Sequence, residues 1–335
     1  MSNSGGWSSP DPQHGPGRQG GGQVPPDQGL PPAPPPPPDH GSHGGYGGPM
    51  SPMGHGKPGV IPLRPLRVGE ILDGAISTMR KHPALMIGAA AAVMAVVQLL
   101  NALVLMTLQD QFQAVEAGAT LTEDEALDML GDFAGASGIT VVVTVLATTF
   151  LSGYLTVVIG KAVLGRPVRA GEVWTEIRPL LLPLLGLTVI YTLIVVVGLI
   201  LLIVPGIWLY VLFALATPAL VLERGRIFTS LGRSRLLVRG SWWRTFGILL
   251  LAAIIAGVIS MIISLPFELL GDGASAFGNS TTLSTTGIWL SALGGVVAGA
   301  ITYPFSAGVT ALLYIDQRMR KEGMDIELAR AAGTA

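Results

Sequence analysis

Apolar residues gather in long runs separated by short polar segments. The longest run, Pro179 to Leu222, carries no charged side chain between Arg178 and Glu223. A helix rises about 1.5 Å per residue, so a single rod of that length would be about twice the thickness of a bilayer's hydrocarbon core. The run must therefore reverse. Pro205-Gly206 is the expected reversal, because proline lacks a donor and glycine tolerates positive φ. A helix from Ile207 to Leu222 would fall short of the roughly 20 residues a span needs. A second placement therefore puts the turn near Leu199 to Leu202, with Pro205 in the first turn of the fourth helix.

The remaining runs repeat this plan. They predict a first span from Pro83 to about Leu108, a second over Ile139 to Gly160, a fifth over Thr245 to Phe267 and a sixth over Gly287 to Ile315. Leu66 to His82 places Val68, Ile71, Leu72, Ala75, Ile76 and Met79 on one helical face, as in an amphipathic helix lying in the membrane interface. Between the first two spans Thr122-Glu-Asp-Glu125 resembles a capping box and predicts a short surface helix. In the basic segment after Glu223, Ile227, Leu231, Val238 and Trp242 form one helical stripe. Trp242 and Trp243 stand where interfacial tryptophans belong. A short helix is expected from Asp316 onward. The fold class is an all-α membrane protein with six transmembrane helices, preceded by a disordered tail. Its parts are a 1–60 tail, a 61–316 transmembrane domain and a charged 317–335 C-terminal tail.

Composition supports lipid as the solvent: of 335 residues 50% are hydrophobic and 12% charged, with mean hydropathy +0.57. The absence of cysteine excludes disulfides, thiolate metal sites and a cysteine nucleophile. The N-terminus is polar and shows no secretory signal peptide. Net charge is only −1, but every Lys and Arg precedes the first span, lies in the second or fourth connection, or follows the sixth span. The positive-inside rule then predicts a cytoplasmic-membrane protein with both termini in the cytoplasm.

More than half of residues 1–60 are Gly or Pro, and Pro34 to Pro38 favour polyproline II. This tail reads either as a docking segment for a proline-recognising protein or as a solvated leader. Its histidines, His14, His40, His43 and His55, lack regular metal spacing. Gln98 and Asn101 in the first span fit either a helix–helix hydrogen bond or a substrate contact. The carboxylates of residues 109–132 read as a solvated acidic face rather than a cation site, and their spacing is not that of an EF-hand. Glu70 and Asp73 fit ion pairs with Arg67 or Arg80 better than a metal. Asn279-Ser-Thr281 matches a glycosylation sequon and is given no weight. No catalytic, cofactor or metal residues are assigned. Arg224, Arg226, Arg233, Arg235, Arg239 and Arg244 are candidate contacts for anionic lipid headgroups, or else only set topology. The expected partners are membrane lipids and, through the tail, a protein; nothing points to nucleic acid.

Arg67-Val-Gly-Glu70 recurs as Arg169-Ala-Gly-Glu172, and Ile227 to Arg244 occupies the corresponding place before the fifth span. Three units follow, each an interfacial helix plus a two-span hairpin, all of one topology. On the segments 66–83, 202–223, 232–250 and 312–330 the chain resembles bacterial membrane proteins of the glycerophosphoryl diester phosphodiesterase membrane-domain type. The resemblance implies a fold and a location. It does not imply the reaction: the soluble domain that binds metal is absent, and His82 is the only histidine outside the tail.

Three function classes are open. A non-enzymatic scaffold or accessory module leads, on the basic surface and the proline-rich tail. A transporter or lipid-handling protein is the alternative, with broken-helix candidates at Pro183, Pro205 and Pro218 but no charge at a span centre. An intramembrane enzyme comes last, since neither paired buried carboxylates nor a nucleophile with a base can be found, and His82 beside Arg80 and Lys81 reads as interfacial.

Overall fold

The computed structural model describes residues 61–62, 64–116, 122–273 and 284–323. The proline-rich tail, the sequon and the end of the C-terminal tail lie outside the described residues. In chain order the helices are α1 (Val68–Lys81), α2 (Ala89–Glu116), α3 (Glu123–Val163), α4 (Ala170–Ile177), α5 (Leu181–Leu201), α6 (Ile203–Phe213), α7 (Ala216–Glu223), α8 (Ile227–Val238), α9 (Trp242–Asp272) and α10 (Thr285–Glu322). Six stretches among them are long and apolar enough to cross a membrane: Ala84–Gln109, Glu123–Val163, Ala170–Leu201, Ile203–Glu223, Trp242–Gly271 and Thr285–Glu322.

Three boundaries differ from the sequence expectation. The reversal is not at Pro205-Gly206 but at the second placement given by span length, near Leu199 to Leu202. Leu202 alone is extended (φ −160°, ψ 138°), and Ile203 already begins the returning helix, so Pro205 sits in its first turn. Such a tight hairpin works because Gly198 and Gly206 face each other; a Cβ on Gly198 would come within 3.1 Å of the Gly206 Cα. The Thr122 capping box forms, with the Glu125 amide donating to Thr122 Oγ1 at 3.3 Å and the Thr122 amide to Glu125 Oε2 at 2.9 Å. It opens α3 itself, though, not a separate surface helix, since no proline stands between Glu123 and the span. Likewise α10 runs through Asp316 to Glu322.

The fourth span is broken. Pro218 cannot donate to the Ala214 carbonyl and its ring crowds that turn, so α6 ends at Phe213 and α7 begins at Ala216. The groups freed at the break are met from outside. Ser234 of α8, fully buried, donates to the Leu212 carbonyl at 2.8 Å and accepts from the Leu215 amide at 3.2 Å.

The three units share local geometry. α1, α4 and α8 are each preceded by an extended arginine N-cap: Arg67, Arg169 and Arg226. Eight residues beyond the cap, Ala75, Ile177 and Ser234 are all buried. Each docks on the second span of the preceding unit: Ala75 against Gly308 of α10, Ile177 against Gly153 of α3, Ser234 across the α6–α7 break. The first spans follow the same order, α2 packing on α10, α5 on α3 and α9 on α6. The ring thus closes on itself. Between 44% and 56% of the second-span windows are buried, against 11–22% of the first-span windows. This sets α3, α6–α7 and α10 inside and α2, α5 and α9 outside. Outer residues such as Val189, Leu193, Val258 and Met261 present the apolar belt that lipid would cover.

Candidate functional site

Where the three inner helices face one another they leave a chamber of about 270 Å³. α3 contributes Thr148, Ser152 and Thr156; α6–α7 contribute Tyr210, Ala214, Thr217 and Pro218; α10 contributes Tyr303, Ser306, Ala307 and Thr310. Tyr191 of α5 and Leu249 of α9 complete the wall. Every polar side chain in it is a hydroxyl and none is charged. Thr156 and Thr310 donate to the carbonyls of Ser152 (2.7 Å) and Ser306 (2.9 Å), one turn earlier in their own helices. Their oxygens are left as acceptors. Tyr210, 48% exposed, and Tyr303, 36% exposed, mark where the chamber opens between helices.

About one turn further along the same helices lies a second cavity, of about 340 Å³. Its wall includes Lys161 and Arg166 at the end of α3, Glu176 of α4, Arg224 at the end of α7, and Tyr314 and Arg318 of α10. This vestibule is on the basic face.

Two ion clusters tie the vestibule's surroundings. Glu223 accepts from the Tyr314 hydroxyl and from Arg233 (2.9 Å), with Arg318 at 3.5 Å; Arg233 and Arg318 both reach Glu322, at 2.5 and 3.0 Å. Lys161 bridges Glu172 (3.2 Å) and Glu176 (2.7 Å). A third cluster closes the ring. Asp316, fully buried, pairs with Arg244 and with Arg320 (3.0 Å), and accepts from the Leu66 amide at 2.7 Å. Both guanidiniums also donate to the Leu66 carbonyl, at 3.0 and 2.7 Å. The segment before α1, the start of α9 and the end of α10 are thereby held at one point.

The six arginines named from sequence have different fates. Arg244 and Arg233 are committed to the clusters just described. Arg226 caps α8, Arg235 is exposed, and the Arg239 carbonyl accepts from Lys321. Only Arg224 lines the vestibule. Glu70 pairs with Arg64 (2.5 Å) and accepts from the Arg67 amide (2.7 Å), the latter being half of a capping box. Gln98 and Met94 of α2 sit over Gly295 and Gly299 of α10, a Gly-x-x-x-Gly pair that forms a helix contact. Burial and then Lys81 hold the His82 imidazole below its ordinary range. Among the described residues no three His, Cys, Asp or Glu converge on a metal-sized site.

The chamber residues carried no sequence signal singly, because Ser and Thr are ordinary in spans. Together they did. Thr156, Thr217 and Thr310 each stand about a turn and a half before the charged end of an inner helix, marked by Lys161, Glu223 and Asp316.

Six membrane-length helices, ringed about a chamber, define a multi-pass α-helical membrane protein. No family model, curated protein or solved structure matches the chain.

Proposed function

We propose that this is a lipid-handling protein of the cytoplasmic membrane, which holds part of an amphiphile in the chamber between its inner helices, with its basic face in the cytoplasm. The observation that carries this reading is the chamber's lining. Uncharged hydroxyls beside Leu151, Leu155 and Leu249 suit hydroxyl, ester and methylene groups, and offer nothing that could titrate with an ion gradient. A scaffold alone would gain stability by filling the space, since an open cavity forfeits packing. The resemblance to phosphodiesterase membrane domains supports a membrane module of this kind. We assign it no enzymatic reaction.

Extraction of lipid from the purified chain, quantified by mass spectrometry, tests this. The wild type should retain about one amphiphile per chain through exchange into a second detergent. Ser306→Leu and Ala307→Trp, which fill the chamber, should lose it, and Val258→Trp on the outer belt should keep it. Equal retention by all four would overturn the reading.

A further inference from the structure

The vestibule holds an anion site. We propose that Arg166 and Arg224 bind a phosphate group there. In the protein's own setting this is the phosphate of an amphiphile's headgroup, a source that rests on the lipid-handling reading above.

Four cations line the vestibule, but they are not equivalent. Lys161 is neutralised by Glu172 and Glu176, and Arg318 by Glu223 and Glu322. Arg166 and Arg224 pair with no carboxylate among the described residues, although both line the same cavity. They come from different units, so neither span hairpin alone contains the site.

Both arginines stand on ordered helix ends. At the end of α3 the Gly165 amide donates to the Ala162 carbonyl and the Arg166 amide to the Lys161 carbonyl, with Gly165 at φ 65°. This is a Schellman turn, and it fixes where Arg166 leaves the helix. α7 closes with the same long bond, from the Gly225 amide to the Leu220 carbonyl at 3.2 Å. Here, however, the left-handed position is occupied by Arg224, at φ 51°. It is the only non-glycine residue with positive φ among the described residues, and a glycine stands next to it. Left-handed backbone disfavours a large L side chain. A strained arginine where glycine fits better is a mark of function rather than of stability.

The site's chemistry follows. The C-terminal ends of α3 and α7 carry partial negative charge of about half an electron each. The two guanidiniums override this with whole charges and with forked donors that match phosphate oxygens. The Tyr314 hydroxyl and the Arg318 guanidinium, which line the same cavity, are held by Glu223. A phosphate on a glycerol or similar backbone would sit in the vestibule, and its hydroxyl- or ester-bearing portion would lie about one turn away, beside the chamber.

Binding measured on the full chain in zwitterionic nanodiscs tests this, with two probes: inorganic phosphate, and short-chain phosphatidic acid. The variants are Arg166→Gln, Arg224→Gly, a control pair of single variants, Arg226→Gln and Arg235→Gln, each with equal charge loss outside the vestibule, and the chamber-filling Ala307→Trp. Each vestibule variant should weaken both probes roughly tenfold or more, and the control pair should change neither. Arg224→Gly should keep or raise the melting temperature, which separates lost binding from lost folding. Ala307→Trp should weaken phosphatidic acid and leave inorganic phosphate unchanged. Equal weakening by the control pair would reduce the effect to surface charge and overturn the site, as would unchanged binding in both vestibule variants. Phosphatidic acid lost only in Ala307→Trp would leave the lipid-handling reading standing and overturn the phosphate assignment. Phosphate lost in the vestibule variants, with phosphatidic acid indifferent to Ala307→Trp, would keep the anion site and remove the chamber from it.

Discussion

Single side chains in this fold are judged by what they leave behind when removed. Asp316 is a fully buried carboxylate between two arginines and a backbone amide. Asp316→Asn keeps the shape but leaves Arg244 and Arg320 facing each other. Because both guanidiniums are partly exposed, water will soften the loss, and we expect roughly 2–4 kcal/mol of destabilisation by thermal melting. Ser234→Ala removes one hydroxyl that serves two backbone groups at the α6–α7 break, so it should cost roughly 1–3 kcal/mol. Arg224→Gly acts in the other direction and should stabilise by about 1 kcal/mol, since glycine carries no Cβ penalty at positive φ. A melting temperature that falls with this variant would contradict the strain assigned to Arg224.

Helices in this chain were legible in outline because charge-free apolar runs must span a bilayer as helices. Their ends were less so. Pro205-Gly206 looks like a turn by local chemistry, yet two facing glycines, Gly198 and Gly206, let a single extended residue turn the chain earlier. Local chemistry at Leu202 does not announce this, but the length needed by the fourth span does, and it places the turn near Leu199 to Leu202. The α6–α7 break follows from Pro218, but its stabilising partner comes from α8, which local pattern cannot reveal. At the α2–α10 contact, Gly295→Leu would drive a side chain into Gln98. Overpacking of this kind should cost roughly 1–3 kcal/mol, read as a loss of thermal stability that Gln98→Ala partly restores.

At the level of the whole molecule, the short Arg-x-Gly-Glu echo indicated units of one topology, and the structure joins three such units in a ring. The docking positions that join them, Ala75, Ile177 and Ser234, differ in chemistry while sharing a register. A search for similar residues therefore passes over them. The chamber was hidden for a related reason: each helix supplies only ordinary threonines and serines, and the site exists only when the three are assembled. The vestibule is half visible in the sequence, since the basic segment fits a lipid contact, but Arg166 lies a unit away from it. The chain has no cysteine, so single cysteines report cleanly on topology. Leu202→Cys should label from outside the cell and Arg235→Cys only from the cytoplasm; labelling of both from one side would contradict six alternating spans.

The chamber as a lipid site is the core of this account, and a photoactivatable phospholipid tests it most directly. After reconstitution, irradiation and digestion, adducts should concentrate on Thr148–Thr156, Tyr210–Pro218 and Tyr303–Thr310, and fall away in Ala307→Trp. Adducts confined to outer residues such as Val189, Leu193 and Val258, with the inner helices unmarked, would show that lipid surrounds this protein and never enters it.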